Sequence, residues 1–153
     1  MEAVRPAERG DRPACEVLLT QALAGLSAQR GGAALGGDVT ASVLLDQWFA
    51  ADSPVALYVG EFDEAVVGLL AVTTFTRGRG DELSGRVECC YVEDGARGVG
   101  VGSALMDAAV EWCRERDCAD IDARALPGDR ATKQRLEAAG FTARLLTLNR
   151  RLR

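Results

Sequence analysis

The sequence predicts an α/β domain on one mixed sheet, and three observations lead there. Three apolar runs, Val55 to Phe62, Ala65 to Thr76 and Ser84 to Val92, are separated only by the short turns Asp63-Glu64 and Gly78-Arg79-Gly80-Asp81. Runs joined that tightly pair antiparallel. The third run passes through a glycine-rich loop into a helical pattern and then another apolar stretch, and a strand-helix-strand connection of that kind runs parallel.

The remaining elements follow in order. Ala3-Val4-Arg5 is a short strand stopped by Pro6. Arg12 to Gln29 repeats apolar residues at Val17, Leu18, Ala22 and Leu26, a helical period. Arg30 to Asp38 holds four glycines and reads as a flexible loop. Asp38 or Thr40 caps a second helix through Val43, Leu44, Trp48 and Phe49. Beyond the glycine loop, a helix from Gly100 to Arg116 sets Val101, Leu105, Ala108 and Trp112 on one face. Ala119 to Leu126 is a strand, and Pro127-Gly128 breaks the chain before a helix from Asp129 to Ala139 with Gly140 as its C-cap. Phe141 to Arg150 is the closing strand. The expected order is β-α-α-β-β-β-α-β-α-β in a single domain, 1–153, with no repeat or linker in view.

Composition narrows the function. At 153 residues, 48% hydrophobic and 27% charged, the chain can bury a core of ordinary size. No apolar run reaches the roughly 20 residues of a membrane span, and the start has no secretion signal, so a cytoplasmic protein is expected. The five cysteines, Cys15, Cys89, Cys90, Cys113 and Cys118, follow no zinc spacing and read as reduced thiols, with no metal site expected. There is no histidine, which excludes Ser-His-Asp and Cys-His nucleophilic chemistry. A net charge of −5 argues against nucleic acid as the main partner.

The glycine loop carries the chemistry. Gly98, Gly100 and Gly102 alternate between the end of a strand and the start of a helix. Such a turn leaves backbone N–H groups unpaired, lets a ligand approach closely and places negative charge at the favourable end of the helix dipole. It is a diphosphate-binding arrangement. No Lys follows Gly102, which removes a P-loop, and the glycine spacing does not fit a dinucleotide fingerprint.

What fits is Arg97-x-x-Gly100-x-Gly102 after a strand ending Tyr91-Val92. It resembles the acetyl-coenzyme A signature of the GNAT N-acetyltransferases, Gln/Arg-x-x-Gly-x-Gly/Ala. A second segment, Gly128 to Phe141, is similar to that family's Asn-x-x-Ala-x-x-x-Tyr-x-x-x-Gly-Phe, with Gly140-Phe141 matching. The resemblance is carried by residues 55 to 141, and over the first 50 only by element order. It implies helices on both faces of the sheet and strands that splay apart after the fourth, the cofactor lying in the gap. It implies acetyl-CoA as cosubstrate and transfer of the acetyl group to an amine.

The resemblance also assigns residues. The amides of Val99, Gly100, Val101, Gly102 and Ser103, with Gly98 in the turn, would take the pyrophosphate, and Arg97 would lie near the phosphates or pack on the loop. The backbone of Cys90, Tyr91 and Val92 would pair with the pantetheine arm, and an N–H there would hold the thioester carbonyl as a small oxyanion hole. Glu88 would take the acceptor's proton through water if it faces the cleft; otherwise it pairs with Arg86 or Arg77. Lys133 and Arg130 would meet the 3′-phosphate, or form a solvated helix face. Two positions depart: Asp129 stands where the family has Asn against the pantetheine, and Leu136 where it often has the tyrosine that protonates the leaving thiolate. Water, Tyr91, Tyr58 or a cysteine would then supply that proton. Of Cys89 and Cys90 only one should line the cleft, and core packing is the better reading for both. Trp48 and Phe49 read as core, Tyr58 as pocket wall.

Family members usually close with two strands after Gly-Phe, whereas one strand's length follows Phe141. A second copy pairing at that C-terminal edge, a homodimer, is the expectation. Two rivals to the amine transferase stay open: a non-catalytic acyl-CoA sensor on the same fold, suggested by Leu136 and Asp129, and an enzyme acting on protein N-termini or charged tRNA. The acidic balance mildly favours a small cationic amine as acceptor.

Overall fold

The computed structural model describes residues 1–32 and 37–153; part of the predicted loop Arg30 to Asp38, residues 33–36, lies outside them. The described elements are β1 (Glu2–Pro6), a 3-10 turn (Arg9–Asp11), α1 (Arg12–Ala28), α2 (Ala41–Trp48), β2 (Ala56–Phe62), β3 (Ala65–Thr76), β4 (Leu83–Val92), a second 3-10 turn (Asp94–Ala96), α3 (Val101–Arg114), β5 (Asp120–Asp122) and α4 (Arg130–Ala138). Thr40, not Asp38, caps α2: its hydroxyl accepts from the Val43 N–H at 3.3 Å.

The strands lie in chain order, β1 to β4 antiparallel and β5 parallel to β4. This is the predicted mixed sheet, and both its faces are covered. On one, Cys15, Leu18 and Leu19 of α1 and Leu45 of α2 bury Val59 and Leu69. On the other, α3 lays Val101, Leu105, Met106, Ala109, Trp112 and Cys113 over Leu70, Val72, Val87 and Val92. Ala109 takes the innermost place expected for Ala108, because the buried stripe is centred one residue further on.

Two glycines seat α3. Gly60 and Gly68 are register partners on β2 and β3. A Cβ on Gly60 would stand 2.4 Å from Val101 Cγ1, and one on Gly68 2.9 Å from Leu105 Cδ1. The helix therefore rests directly on backbone at its N-terminal end, which fixes where the glycine loop emerges.

Two expectations are corrected. The strand predicted over Ala119 to Leu126 is three residues long, and the closing strand Phe141 to Arg150 does not form: residues 141–153 hold neither helix nor strand. Both have one cause. A strand exists through its ladder partner, and β4 pairs with β5 only at Ser84–Asp120, Gly85–Ile121 and Arg86–Asp122. The described order ends β-α-β-α, and Leu145, Leu146, Leu148 and Leu152 are exposed.

Candidate functional site

Past Arg86 and Asp122 the parallel strands part, and the gap opens into a cleft of about 350 Å³. One wall is β4 from Val87 to Cys90, the opposite wall Ala123, Arg124 and α4, and the floor the first turns of α3. The splay comes where the family resemblance puts it, and β4 carries a bulge at the same height. Val87 faces Val72 and Cys89 faces Ala71, which leaves Glu88 as the extra residue. A bulge re-aims a side chain, and Glu88 lines the cleft with its carboxylate exposed. The alternative pairings do not occur among the described residues: Arg86 stacks on Phe75 at 4.0 Å, and Arg77 binds Asp122 at 2.7 Å.

Cys89 and Cys90 both contribute atoms to the cleft wall, but they pack toward opposite faces of the sheet. Burial pushes the Cys89 thiol up to about 12 and the Cys90 thiol up to about 11, the nearby Arg135 charge pulling Cys90 only slightly back. Neither is a thiolate at neutral pH, so neither has the nucleophile an acyl-cysteine would need. The Tyr91 ring packs on the α1–α2 side, and its hydroxyl donates to Gln21 Oε1 at 3.2 Å. Tyr58 lies on the α3 face away from the cleft lining, and burial raises its phenol further from a useful acid. Trp48 and Phe49 pack against the α1–α2 core as expected.

The glycine loop is built as its sequence demands. Gly98 and Gly100 have φ of +85° and +92°, left-handed values that strain any side chain. Val92 is buried, and its carbonyl accepts from Arg97 Nε at 3.2 Å. The same guanidinium holds Asp94 at 2.9 Å and lies 5.9 Å from the Tyr91 ring centroid, so Arg97 braces the turn between strand and loop. Val99 is half-buried against the core and Val101 fully buried. The first helical bond runs from Ala104 N to Gly100 O at 3.0 Å. The amides of Val101, Gly102 and Ser103 therefore precede the helical ladder, and Gly102 and Ser103 line the cleft. Donors at the positive end of a 14-residue helix open onto the cavity.

Across the cleft, Asp129 has a structural task. It caps α4, accepting from the Thr132 N–H at 3.1 Å and the Thr132 hydroxyl at 2.6 Å. Partial burial works against its charge, but those hydrogen bonds and nearby Arg135 outweigh it and hold the carboxyl below its ordinary range. Lys133 and Arg130 do not line the cleft; Lys133 reaches Glu137 at 3.7 Å. Leu136 does line it, so the position of the family's tyrosine faces the cavity with an aliphatic side chain. Gly140 closes the helix at φ +90°, with Gly140 N to Glu137 O and Phe141 N to Leu136 O at 3.0 and 2.9 Å, a Schellman cap. Four polar residues of the lining had no signal in the sequence: Asp107, Arg124, Thr132 and Arg135.

With this geometry in place, comparison with known proteins gives the family. The pattern of the Acetyltransferase (GNAT) family matches residues 29–141, and the chain belongs to that family. No curated protein matches the sequence. Among solved structures it is similar to a transcriptional regulator from Bacillus halodurans C-125, at 23% identity and TM-score 0.71 over 99% of this chain and 100% of the other. A ribosomal-protein-alanine N-acetyltransferase from Brucella melitensis biovar Abortus 2308 superposes with TM-score 0.73 at 18% identity, covering 99% of each chain. An aminoglycoside N-acetyltransferase in complex with CoA gives TM-score 0.78 at 17% identity, over 100% of this chain and 95% of the other. At these identities the likeness establishes the fold, a GNAT acetyltransferase fold. No helix among the described residues is long and apolar enough to cross a membrane.

Proposed function

We propose that this protein transfers the acetyl group of acetyl-CoA to a primary amine by direct attack in a ternary complex, with residues 1–153 acting as one transferase domain. The observation that carries this reading is the cleft itself: the parallel seam opens at the β4 bulge, directly beside the unladdered amides of α3. A diphosphate fits those donors, since Gly102 presents no side chain and Ser103 only a hydroxyl. The pantetheine arm would run along the exposed ladder edge of β4 at Cys90, Tyr91 and Val92, where β5 no longer pairs.

The chemistry follows from the groups that face the cavity. The amine nitrogen forms a bond to the thioester carbonyl carbon while the carbon–sulfur bond breaks. A β4 amide near Val92 holds the developing oxyanion. Glu88 takes a proton from the acceptor ammonium through water, so that the neutral amine attacks, and the second nitrogen proton passes to water as the thiolate leaves. Leu136 offers no acid, and Tyr91 gives its hydroxyl to Gln21, so water reprotonates the departing thiolate; Tyr91 serves through its backbone. Supporting a cationic acceptor are the net charge and the exposed carboxylates of Glu88 and Asp107 on the lining. The aminoglycoside acetyltransferase is a neighbour of matching chemistry.

The decisive assay mixes enzyme, acetyl-CoA and a panel of polyamines, aminoglycosides and peptide N-termini, and follows free thiol. Release with one amine class, weakened at least tenfold in Glu88→Gln, is expected. Leu136 favours one other reading, a non-catalytic acyl-CoA sensor, and tight binding without thiol release from any amine would select it. A reducing, cytoplasmic setting fits the five free cysteines. The exposed leucines of residues 141–153 and the open edge of β5 support a homodimer, which a monomeric mass by light scattering would dismiss.

A further inference from the structure

Arg135 sits on the exposed face of α4, yet its guanidinium reaches across the cleft to the start of α3. Its Nη1 lies 3.1 Å from where a Cβ on Gly102 would stand, and its Nη2 donates to Thr132 Oγ1 at 3.4 Å. Glycine at 102 is what makes room for it. No carboxylate among the described residues pairs with it, although Lys133 on the same helix has Glu137 and Arg144 has Asp120. Asp129 is close enough to feel its charge, but that carboxylate is already taken up in capping α4.

The placement is electrostatically the wrong way round. The N-terminus of a helix carries positive partial charge, which disfavours a neighbouring cation and favours an anion. A guanidinium resting there without a counter-ion is a frustrated contact, and one species relieves it: an anion lodged between the fork and the amides. A diphosphate suits both sides, since the planar fork binds two phosphate oxygens at once while the amides of Val101, Gly102 and Ser103 take others.

We infer that Arg135 is the counter-ion of the cofactor diphosphate, closing from α4 a cradle whose other half is the α3 glycine loop. The inference rests on the acyl-CoA reading of the cleft and adds a residue at a position that the second family segment, Gly128 to Phe141, leaves unspecified. In it, Arg135 holds the cofactor and stands outside the acetyl transfer itself.

The test is calorimetric titration of wild type, Arg135→Gln and Arg135→Lys with CoA and, separately, with pantetheine, which has the thiol arm without the diphosphate. Loss of a charge-assisted phosphate contact should weaken CoA binding of Arg135→Gln by roughly 10- to 100-fold, with part of it restored in Arg135→Lys. Pantetheine affinity should not change, and the salt dependence of CoA binding should flatten in Arg135→Gln. Unchanged CoA affinity in Arg135→Gln, or an equal loss for both ligands, would overturn the assignment while leaving the cofactor reading intact. Failure of wild type to bind CoA would overturn both.

Discussion

Replacing Gly60 by alanine tests the packing that positions the glycine loop, and the structure reverses the usual sign of that substitution. Glycine within a strand is ordinarily worse than alanine by roughly 0.5–1 kcal/mol, because it loses more backbone freedom on folding. At Gly60 the added Cβ would meet Val101 Cγ1 at 2.4 Å and Leu105 Cδ1 at 3.3 Å. Val101 is 1% exposed and Leu105 0%, so neither side chain has room to retreat, and α3 must lift from the sheet. Overpacking of this kind costs about 1–3 kcal/mol, a fall in Tm of roughly 2–12 °C for a domain this size. A double-mutant cycle isolates the cause. Val101→Ala alone loses about 2 kcal/mol of burial, but combined with Gly60→Ala it removes the clashing methyl, and the pair should recover about 1 kcal/mol relative to the sum. Urea denaturation of the four proteins measures this. A stabilised Gly60→Ala, or strictly additive losses, would refute the close seating of α3.

Two further outcomes follow. Asp11 accepts from both terminal nitrogens of Arg5 at 2.7 and 2.9 Å, and these hydrogen bonds hold its carboxyl below the ordinary 3.8. A depressed carboxylate stabilises the fold above its unfolded pKa and loses that contribution as pH falls through its folded one. Asp11→Asn should therefore be less stable than wild type at pH 7, with the gap closing below about pH 4; a gap that does not vary with pH would contradict the pairing. Cys90, its thiol pushed up to about 11, should react slowly with iodoacetamide at neutral pH and about tenfold faster per pH unit above it. Bound CoA should slow it further, and peptide mapping that finds rapid neutral labelling would count against both its burial and its place in the cleft wall.

The parts of the fold legible in the sequence were those set by local pattern. Ala65 to Thr76 matches β3 at both ends, because long apolar runs between tight turns have few alternatives. The loop from Arg97 to Ser103 was legible because left-handed backbone at Gly98 and Gly100 requires glycine. What depended on a distant partner was not. The leucines after Phe141 have strand composition but no ladder to join, and β5 is short because β4 bulges away at Glu88, an irregularity that no pattern in Val87 to Val92 announces. Arg135 escaped notice for a related reason. A charged residue on a polar helix reads as solvated, and only its approach to Gly102 distinguishes it from Lys133, which pairs with Glu137 one turn on. Asp129, at the position where the family has Asn against the pantetheine, also caps α4, a role that its place before the helix does not by itself reveal.

Titration of the purified protein with acetyl-CoA, against a Gly100→Glu variant, tests the central claim most directly. Position 100 has φ +92° and opens the α3 N-terminus, with Glu2 3.6 Å from the Cβ position. The substitution thus strains the loop and sets a carboxylate where the diphosphate would lie. Binding in roughly the micromolar range by wild type, lost in a variant that keeps its far-ultraviolet circular dichroism and a cooperative thermal transition, is the predicted result. A folded wild type that gives no heat of binding, or a variant that binds as tightly, would show that the glycine loop is a turn and not a cofactor site.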